Sequence, residues 1–217
     1  MTGPVPTGTA ETGRADTACH ELLLRLAGRL PDDLLWRLRD WLAVEGRAAV
    51  SATLPRALLR NRVGLTDAEH DLLIDAVGGW GAPRRLLDAV LPVHAADDPF
   101  VQFRAGSGIP DLAALSVLAV VRGHTGTTEL RQSWRVDGRG EQRVVLVLGA
   151  DRPWKLTGTL QRLLRAHGER TPCVEVLASG FDAPAYHQAA IVGSARFWGA
   201  TDIPTVTGGP AGALIGT

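Results

Sequence analysis

The spacing of apolar residues changes near residue 94, and this change constrains the fold more than any other feature of the sequence. Before it, leucines recur at intervals of three and four residues, as at Leu22, Leu23, Leu26 and Leu30. Such spacing places side chains on one face of a helix, whereas side chains alternate between the two faces of a strand. After it, "LRQSWRV" and "QRVVLVLG" flank the turn-rich "DGRGE", a pattern typical of a β-hairpin. The chain is therefore predicted to be α+β (mixed).

Residues 18–93 are predicted to form an all-helical module of about five short helices. The second helix starts at Asp32 or Asp33, whose negative charge suits the positive end of a helix. The fourth helix has the strongest start signal, because Thr66 and Glu69 have the spacing of a capping box. Brief connections between these helices favour an orthogonal or bundle-like arrangement.

Residues 111–199 are predicted to form a small α/β domain with the order α-β-β-α-β-α, a layered sheet with helices on one or both sides. Its first segment, 111–122, fits a buried strand or a buried helix, and its length and alanines favour the helix. Its last helix is predicted to span residues 184–198. Residues 94–110 are predicted to be a linker partly docked by Phe100 and Phe103. The Thr-, Gly- and Pro-rich segments 1–17 and 200–217 are predicted to be a disordered and a flexible tail.

The stretch "LVLGADRPWKLTG" predicts a strand that leads through Gly149 into a helix. Asp151 is a favoured N-cap residue, and Pro153 is tolerated in a first helical turn, so a helix start explains the stretch without a ligand. The alternative is an anion-binding crevice between the strand end and the helix N-terminus. The charge of Asp151 disfavours an anion there, and the sequence therefore favours the helix cap.

Composition excludes several classes of protein. The 23 basic residues balance the 23 acidic residues, which argues against a polyanion-binding protein, and Lys155 is the only lysine. Neither a signal peptide nor an apolar run of membrane-spanning length is present in the sequence. Cys19 and Cys173 lack metal-binding or redox spacing and are predicted to be buried, reduced thiols. These features together predict a soluble cytoplasmic protein.

Motifs that carry known chemistry are missing from the sequence. It contains no G-x-G-x-x-G, no phosphate-binding loop and no G-x-S-x-G, and its six histidines lack the spacing of a helical zinc pair. No cofactor, metal or catalytic residue is therefore predicted, and enzymatic activity is disfavoured. If the chain binds a small ligand, a pocket at the strand ends is expected to contain Asp151, Glu175, Tyr186 and His187. Of the six histidines, His187 is the one most expected to line such a pocket.

Residues 131 to 170 contain an excess of basic residues, with nine basic and four acidic side chains. A solvated arginine-rich surface is one interpretation. The other is a contact patch for an acidic partner, formed by Arg131, Arg135, Arg143, Arg162 and Arg165. Nucleic-acid binding through the same strip is a weaker possibility, because the chain as a whole has no net charge.

Three hypotheses for the function follow from the sequence. The leading one is a non-catalytic interaction or regulatory module that contacts another protein and has no membrane segment. The alternative is a small-ligand-binding protein or enzyme with the pocket described above. The third is weak nucleic-acid binding through the arginine strip. The sequence identifies neither the partner nor the oligomeric state.

Overall fold

The computed structural model describes residues 7–96, 101–106, 110–137 and 140–202. Within these residues the fold is α+β, as predicted, with eight α-helices and a five-stranded mixed sheet. The helices are α1 (Thr7–Arg25), α2 (Asp32–Ala43), α3 (Arg47–Asn61), α4 (Asp67–Leu73), α5 (Arg84–Leu87), α6 (Leu112–Arg122), α7 (Pro153–Ala166) and α8 (Ala185–Val192). The strands are β1 (Gln102–Arg104), β2 (Glu129–Asp137), β3 (Gly140–Leu148), β4 (Cys173–Leu177) and β5 (Ala195–Gly199).

The first five helices pack around a core of leucines. Leu22 and Leu23 of α1, and Leu26 directly after it, are fully buried against Leu38 of α2 and Leu58 of α3. The predicted capping box of α4 is confirmed, with reciprocal hydrogen bonds between the N-cap residue and the third helical residue. A π-helical turn at Ile74–Gly78 extends α4. None of the helices in the described ranges is long and apolar enough to cross a membrane.

The structure corrects the predicted first tail, because α1 begins at Thr7 and residues 7–17 are helical. Asp16 accounts for this difference, since its side chain is buried and hydrogen-bonded to Arg47, at 2.9 Å to Oδ1 and 2.7 Å to Oδ2. A contact of this kind, between distant residues, stabilises a helix whose local sequence is not periodic. Residues 1–6 and 203–217 of the two predicted tails lie outside the described residues.

The sheet has the order β1-β2-β3-β4, and β5 pairs with β2 beside β1. The predicted hairpin is confirmed as the antiparallel pair β2–β3, and β4 runs parallel to β3. Helices α6 and α7 cover one face of the sheet, and α8 packs on the other. Segment 111–122 is thus mainly helical, as the sequence favoured.

Two segments expected to lack strands contribute strands to the sheet. Within the predicted linker, Gln102–Arg104 forms β1, whereas Phe100 lies outside the described residues. The predicted last helix is wrong beyond residue 192. Gly193 ends α8 where it lies against the backbone of Phe103, and the chain then continues as β5. Pairing with β2 outweighs the local preference for helix.

Helices α1 to α5, here called the helical segment, cover the edge of β4, the strand that pairs only with β3 within the described chain. Helix α2 packs against α7, and the core of the helical segment includes Trp154 of α7 and Tyr186 of α8. An uncovered sheet edge would leave backbone groups unpaired and open to other chains. The helical segment and the sheet therefore form a continuous structure at this edge.

Candidate functional site

A buried ion pair joins the helical segment to the sheet. Arg39 of α2 donates two hydrogen bonds to the Glu175 carboxylate, at 2.8 Å to Oε1 and 2.7 Å to Oε2. The side chains of Arg39 and Glu175 are 3% and 0% exposed. Arg39 also donates to the carbonyl oxygens of Val174 and Leu23, at 3.0 and 3.1 Å. This geometry pairs both charges in the protein interior, where an unpaired charge is strongly unfavourable. The Nε atom of Arg39 is buried without a hydrogen-bond partner among the described residues.

Arg39 and Glu175 belong to a larger buried group, here called the Glu175 cluster, which also contains Cys173, Tyr186 and His187. His187 Nε2 lies 2.9 Å from Glu175 Oε2, so Nε2 carries the hydrogen and donates it. The Cys173 thiol lies 3.6 Å from Glu175 Oε1 and 3.8 Å from the Tyr186 hydroxyl. The structure therefore brings together three of the four residues predicted to share a pocket.

The ionisable groups of the Glu175 cluster have protonation states that are favourable in the protein interior. Burial alone disfavours the carboxylate, but the charge of Arg39 and the hydrogen bond from His187 outweigh it and lower the pKa of Glu175 to about 2. Burial raises the pKa of Cys173 to about 12 and raises the pKa of Tyr186 well above its usual value. A neutral thiol and a neutral phenol without access to solvent are poor nucleophiles. The chemistry of the cluster fits a stabilising network.

His20 of α1 contacts β4 next to the Glu175 cluster. Its Nε2 lies 2.8 Å from the carbonyl oxygen of Val176, which faces away from β3. Burial lowers the pKa of His20 to about 4, so the ring is neutral near pH 7 and donates a single hydrogen bond to that oxygen. Together, His20 and Arg39 satisfy the outward-facing carbonyl groups of Val176 and Val174.

Asp151, the fourth predicted pocket residue, lies apart from the Glu175 cluster, beyond the carboxyl end of β3. Its side chain is exposed, and the prediction that it caps α7 is wrong. Arg152 occupies the N-cap position instead, in the left-handed region at φ 48°, and makes no side-chain capping hydrogen bond. The backbone explains the change, because the Asp151 N–H donates to the Thr125 carbonyl at 3.1 Å. Pro153 starts the helix, as predicted.

The five arginines of the predicted contact patch all interact within the chain. They pair as follows: Arg131 with Glu129 and Ser194, Arg135 with Asp32 and Asp137, Arg143 with Asp111, Glu169 and the Trp134 ring, Arg162 with Asp40, and Arg165 with the Trp36 ring. Arg135 is the least accessible, with 6% of its side chain exposed. Internal neutralisation reduces the charge that the patch offers to an acidic protein or a nucleic acid.

A cleft of about 600 Å³ opens at the amino ends of β3 and β4, at the opposite end of these strands from Asp151. Its walls come from the start of α2, the β2–β3 hairpin and the segment before β4, and none of the four predicted pocket residues lines it. Two of its charged residues, Asp33 and Arg170, are exposed and have no ion-pair partner in the described part of the chain. The cleft has the volume of a small-molecule site.

No metal site accompanies the cleft or the Glu175 cluster. Among the residues that the structure describes, no group of three or more His, Cys, Asp or Glu side chains is arranged to hold a metal ion. The carboxylates of the cleft instead face arginines, as in the pairs of Asp32 with Arg135 and Glu169 with Arg143.

Helix α6 has an unusual outer face. Its inner face packs on the sheet through Ala113, Ala114, Val117 and Val121. On its outer face, Leu112 and Leu115 are 70% and 47% exposed, and Ala119 and Arg122 are exposed as well. A helix that is apolar on all sides is normally buried on all sides. The outer face of α6 therefore leaves apolar surface in water.

Sequence reasoning missed Arg39, His20 and the outer face of α6. Arg39 and His20 sit among the leucines of the helical segment, and no local signal connects them to a strand more than 130 residues away. The α6 face did carry a signal, because "LAALSVLAVVR" has no polar stripe. That composition predicts a helix that is covered on both sides. The described part of the chain covers it on one side only.

Comparison of the chain with known protein families, curated proteins and solved structures finds no match. The interpretation of its function therefore depends on the geometry given above.

Proposed function

We propose that this protein is a non-catalytic interaction module and that the outer face of α6 is its contact surface. The observation that carries the proposal is the exposure of Leu112 and Leu115 on a helix without a polar stripe. Full burial of a leucine side chain contributes about 1.5–3 kcal/mol. Because Leu112 and Leu115 are 70% and 47% exposed, covering both favours association by about 2–3 kcal/mol before its entropic cost.

The charges at the ends of α6 indicate what such a partner offers. Asp111 caps the N-terminus, with its Oδ1 2.8 Å from the Ala114 nitrogen, and its side chain is 51% exposed. Arg122 lies exposed at the other end and has no ion-pair partner in the described chain. The Asp111 carboxylate already pairs with Arg143 of the same chain, so Arg122 is the charged group without an internal partner. A partner suited to this surface has an apolar stripe with an acidic group near Arg122, and it places any basic group beside the Asp111–Arg143 pair.

The burial of the Glu175 cluster supports the non-catalytic part of the proposal. Its thiol, phenol and imidazole are closed off from solvent, so a substrate in solution does not reach them. The two buried free thiols also support a cytoplasmic location, where thiols remain reduced. Imaging of a fluorescent fusion in the source cells tests that location, and secretion of the fusion would contradict it.

The contact surface is tested by capture from a lysate of the cells that make the protein. The double variant Leu112→Glu/Leu115→Glu is expected to lose the partners that the unaltered chain recovers, because both residues face water and their replacement leaves the core intact. Val192→Glu, at an 88% exposed position on α8, is the matched control and should recover the same partners. Equal recovery by the double variant and the control would reject the α6 surface.

A second candidate function is binding of a small molecule in the cleft. The observation in its favour is the unpaired Asp33 and Arg170 on the cleft walls, which suit a ligand that carries both a positive and a negative charge. A thermal-shift screen with zwitterionic amino acids tests it. Arg170→Gln should abolish any shift, whereas Arg60→Gln on the exposed side of α3 should not. A screen without any shift would remove this candidate.

A further inference from the structure

We infer that the outer face of α6 binds the same face of a second copy of the chain, with the two helices antiparallel. This inference depends on the proposal that α6 is a contact surface, and it names the partner. The reason to choose a second copy lies in the symmetry of the exposed residues, since a two-fold interface brings one surface patch against itself.

The exposed positions of α6 form a row with symmetric spacing. They are residues 112, 115, 119 and 122, separated by three, four and three residues. Such intervals place all four side chains on one side of a helix. The row is symmetric about position 117, so a two-fold axis at that level maps it onto itself. Leu115 of one copy then lies opposite Ala119 of the second copy, and Leu112 lies opposite Arg122 of the second copy.

Size and charge are complementary in this arrangement. The large Leu115 meets the small Ala119, which lets the two helices approach closely. The aliphatic stem of Arg122 covers Leu112, and its guanidinium group reaches Asp111 of the second copy, where it joins the existing Asp111–Arg143 pair on the 51% exposed carboxylate. Asp111 is ionised at neutral pH, because the hydrogen bond from Arg143 lowers the pKa of Asp111 to about 2. A parallel pairing instead brings Arg122 against Arg122, which like-charge repulsion disfavours.

The expected dimer is weak. One exposed helix face per copy is a small interface by the standards of stable complexes, so we expect a dissociation constant of roughly 10 µM to 1 mM. Sedimentation velocity of the purified full chain, from about 1 µM to about 1 mM, should show a concentration-dependent monomer–dimer equilibrium. Leu115→Glu should raise the dissociation constant at least about tenfold, and Val192→Glu should leave it unchanged.

A cysteine-pairing experiment tests the antiparallel register. Leu115→Cys and Ala119→Cys chains, made with different tags, are mixed and oxidised; both sites are exposed, and the native Cys19 and Cys173 are buried. Mixed disulfide dimers between the two variants should exceed statistical pairing. An excess of Leu115→Cys homodimers would overturn the antiparallel arrangement.

The two proposals fail separately. If the chain stays monomeric over the whole concentration range, the second-copy inference is rejected. In that case the contact-surface proposal still stands if a lysate partner is lost from the Leu112→Glu/Leu115→Glu variant and kept by Val192→Glu. If the chain dimerises and Leu115→Glu has no effect, the second-copy inference is rejected, and the lysate capture decides the contact-surface proposal.

Discussion

The ion pair between Arg39 and Glu175 shows how this protein tolerates a buried charge. The carboxylate receives hydrogen bonds from Arg39, His187 and Cys173, and the guanidinium group donates to two backbone carbonyls besides. A buried ion pair often contributes little net stability over an apolar pair of the same shape, but loss of one partner is costly. At the residue scale, replacing both residues by an apolar pair should therefore lower the free energy of unfolding much less than replacing one of them.

Arg39→Met tests the cost of removing one partner of the buried pair. The substitution keeps most of the side-chain volume and leaves Glu175 without its cation, so we expect the free energy of unfolding at pH 7 to fall by about 3–5 kcal/mol. Urea denaturation measures it. Arg162→Met is the control, because the Arg162–Asp40 pair is partly exposed and its loss should cost less than about 1 kcal/mol. Equal effects of the two substitutions would show that Glu175 is not strongly dependent on Arg39.

The same pair predicts a pH dependence. The pKa of Glu175 is lowered from 4.5 to about 2 on folding, so the folded state binds fewer protons than the unfolded state between these values. Its contribution to stability is complete above about pH 4.5 and is lost as the pH falls towards 2. In Arg39→Met this contribution is already missing, and the difference in stability between the two proteins should therefore shrink over that range. Urea titrations at pH 6, 4 and 3 measure the difference, and a constant difference would contradict the assignment.

At the scale of single elements, the start of a helix depends on hydrogen bonds more than on residue type. Thr66 accepts from the Glu69 N–H at 3.3 Å, and Glu69 accepts from the Thr66 N–H at 3.0 Å. Asp151 is an equally favourable residue type for a cap, yet Arg152 takes the N-cap position of α7. The difference is that tertiary contacts of the loop before α7 fix the backbone of Asp151.

A pair of alanine substitutions separates the two helix starts. Thr66→Ala removes a capping hydrogen bond and should lower the free energy of unfolding by about 1 kcal/mol. Asp151→Ala removes an exposed side chain without a capping bond and should change it by less than about 0.5 kcal/mol. Thermal and urea denaturation of both variants give the values. A loss on Asp151→Ala as large as that on Thr66→Ala would restore Asp151 as a cap.

Local patterns predicted the elements whose signals lie within a few residues. The capping box of α4, the β2–β3 hairpin and the helix over 111–122 belong to this class. The start of α1 and the strands β1 and β5 do not, because Asp16 needs Arg47 and β5 needs the edge of β2. The candidate site divides in the same way: Glu175, Tyr186 and His187 lie within one short segment, whereas Arg39 reaches them only through folding.

At the scale of the whole molecule, Gly158 determines how closely the helical segment approaches the sheet layer. A Cβ at this position of α7 would overlap the Cβ of Ala43 at the end of α2. Gly158→Ala gains up to about 1 kcal/mol in helix propensity, and crowding between the helices should outweigh that gain with a cost of about 1–3 kcal/mol. Adding Ala43→Gly frees the space and should recover part of the loss. A double-mutant cycle by urea denaturation measures the coupling, and purely additive effects would contradict close contact at this point.

The contacts between the helical segment and the sheet make a further prediction about how the chain unfolds. The division into two modules near residue 94 remains a prediction from sequence, and independent modules would unfold in two steps. Here the Arg39–Glu175 pair, the His20–Val176 hydrogen bond and the packing of α2 on α7 all cross that division. Separation of the segments would leave Glu175 charged without its cation and would open the edge of β4.

We therefore expect one cooperative transition in calorimetry, with equal calorimetric and van't Hoff enthalpies. Amides of α2 and β4 should exchange hydrogen with the same free energy of opening. Two resolved transitions, or protection of β4 that persists after α2 has opened, would show that the sheet does not need the helices that cover its edge.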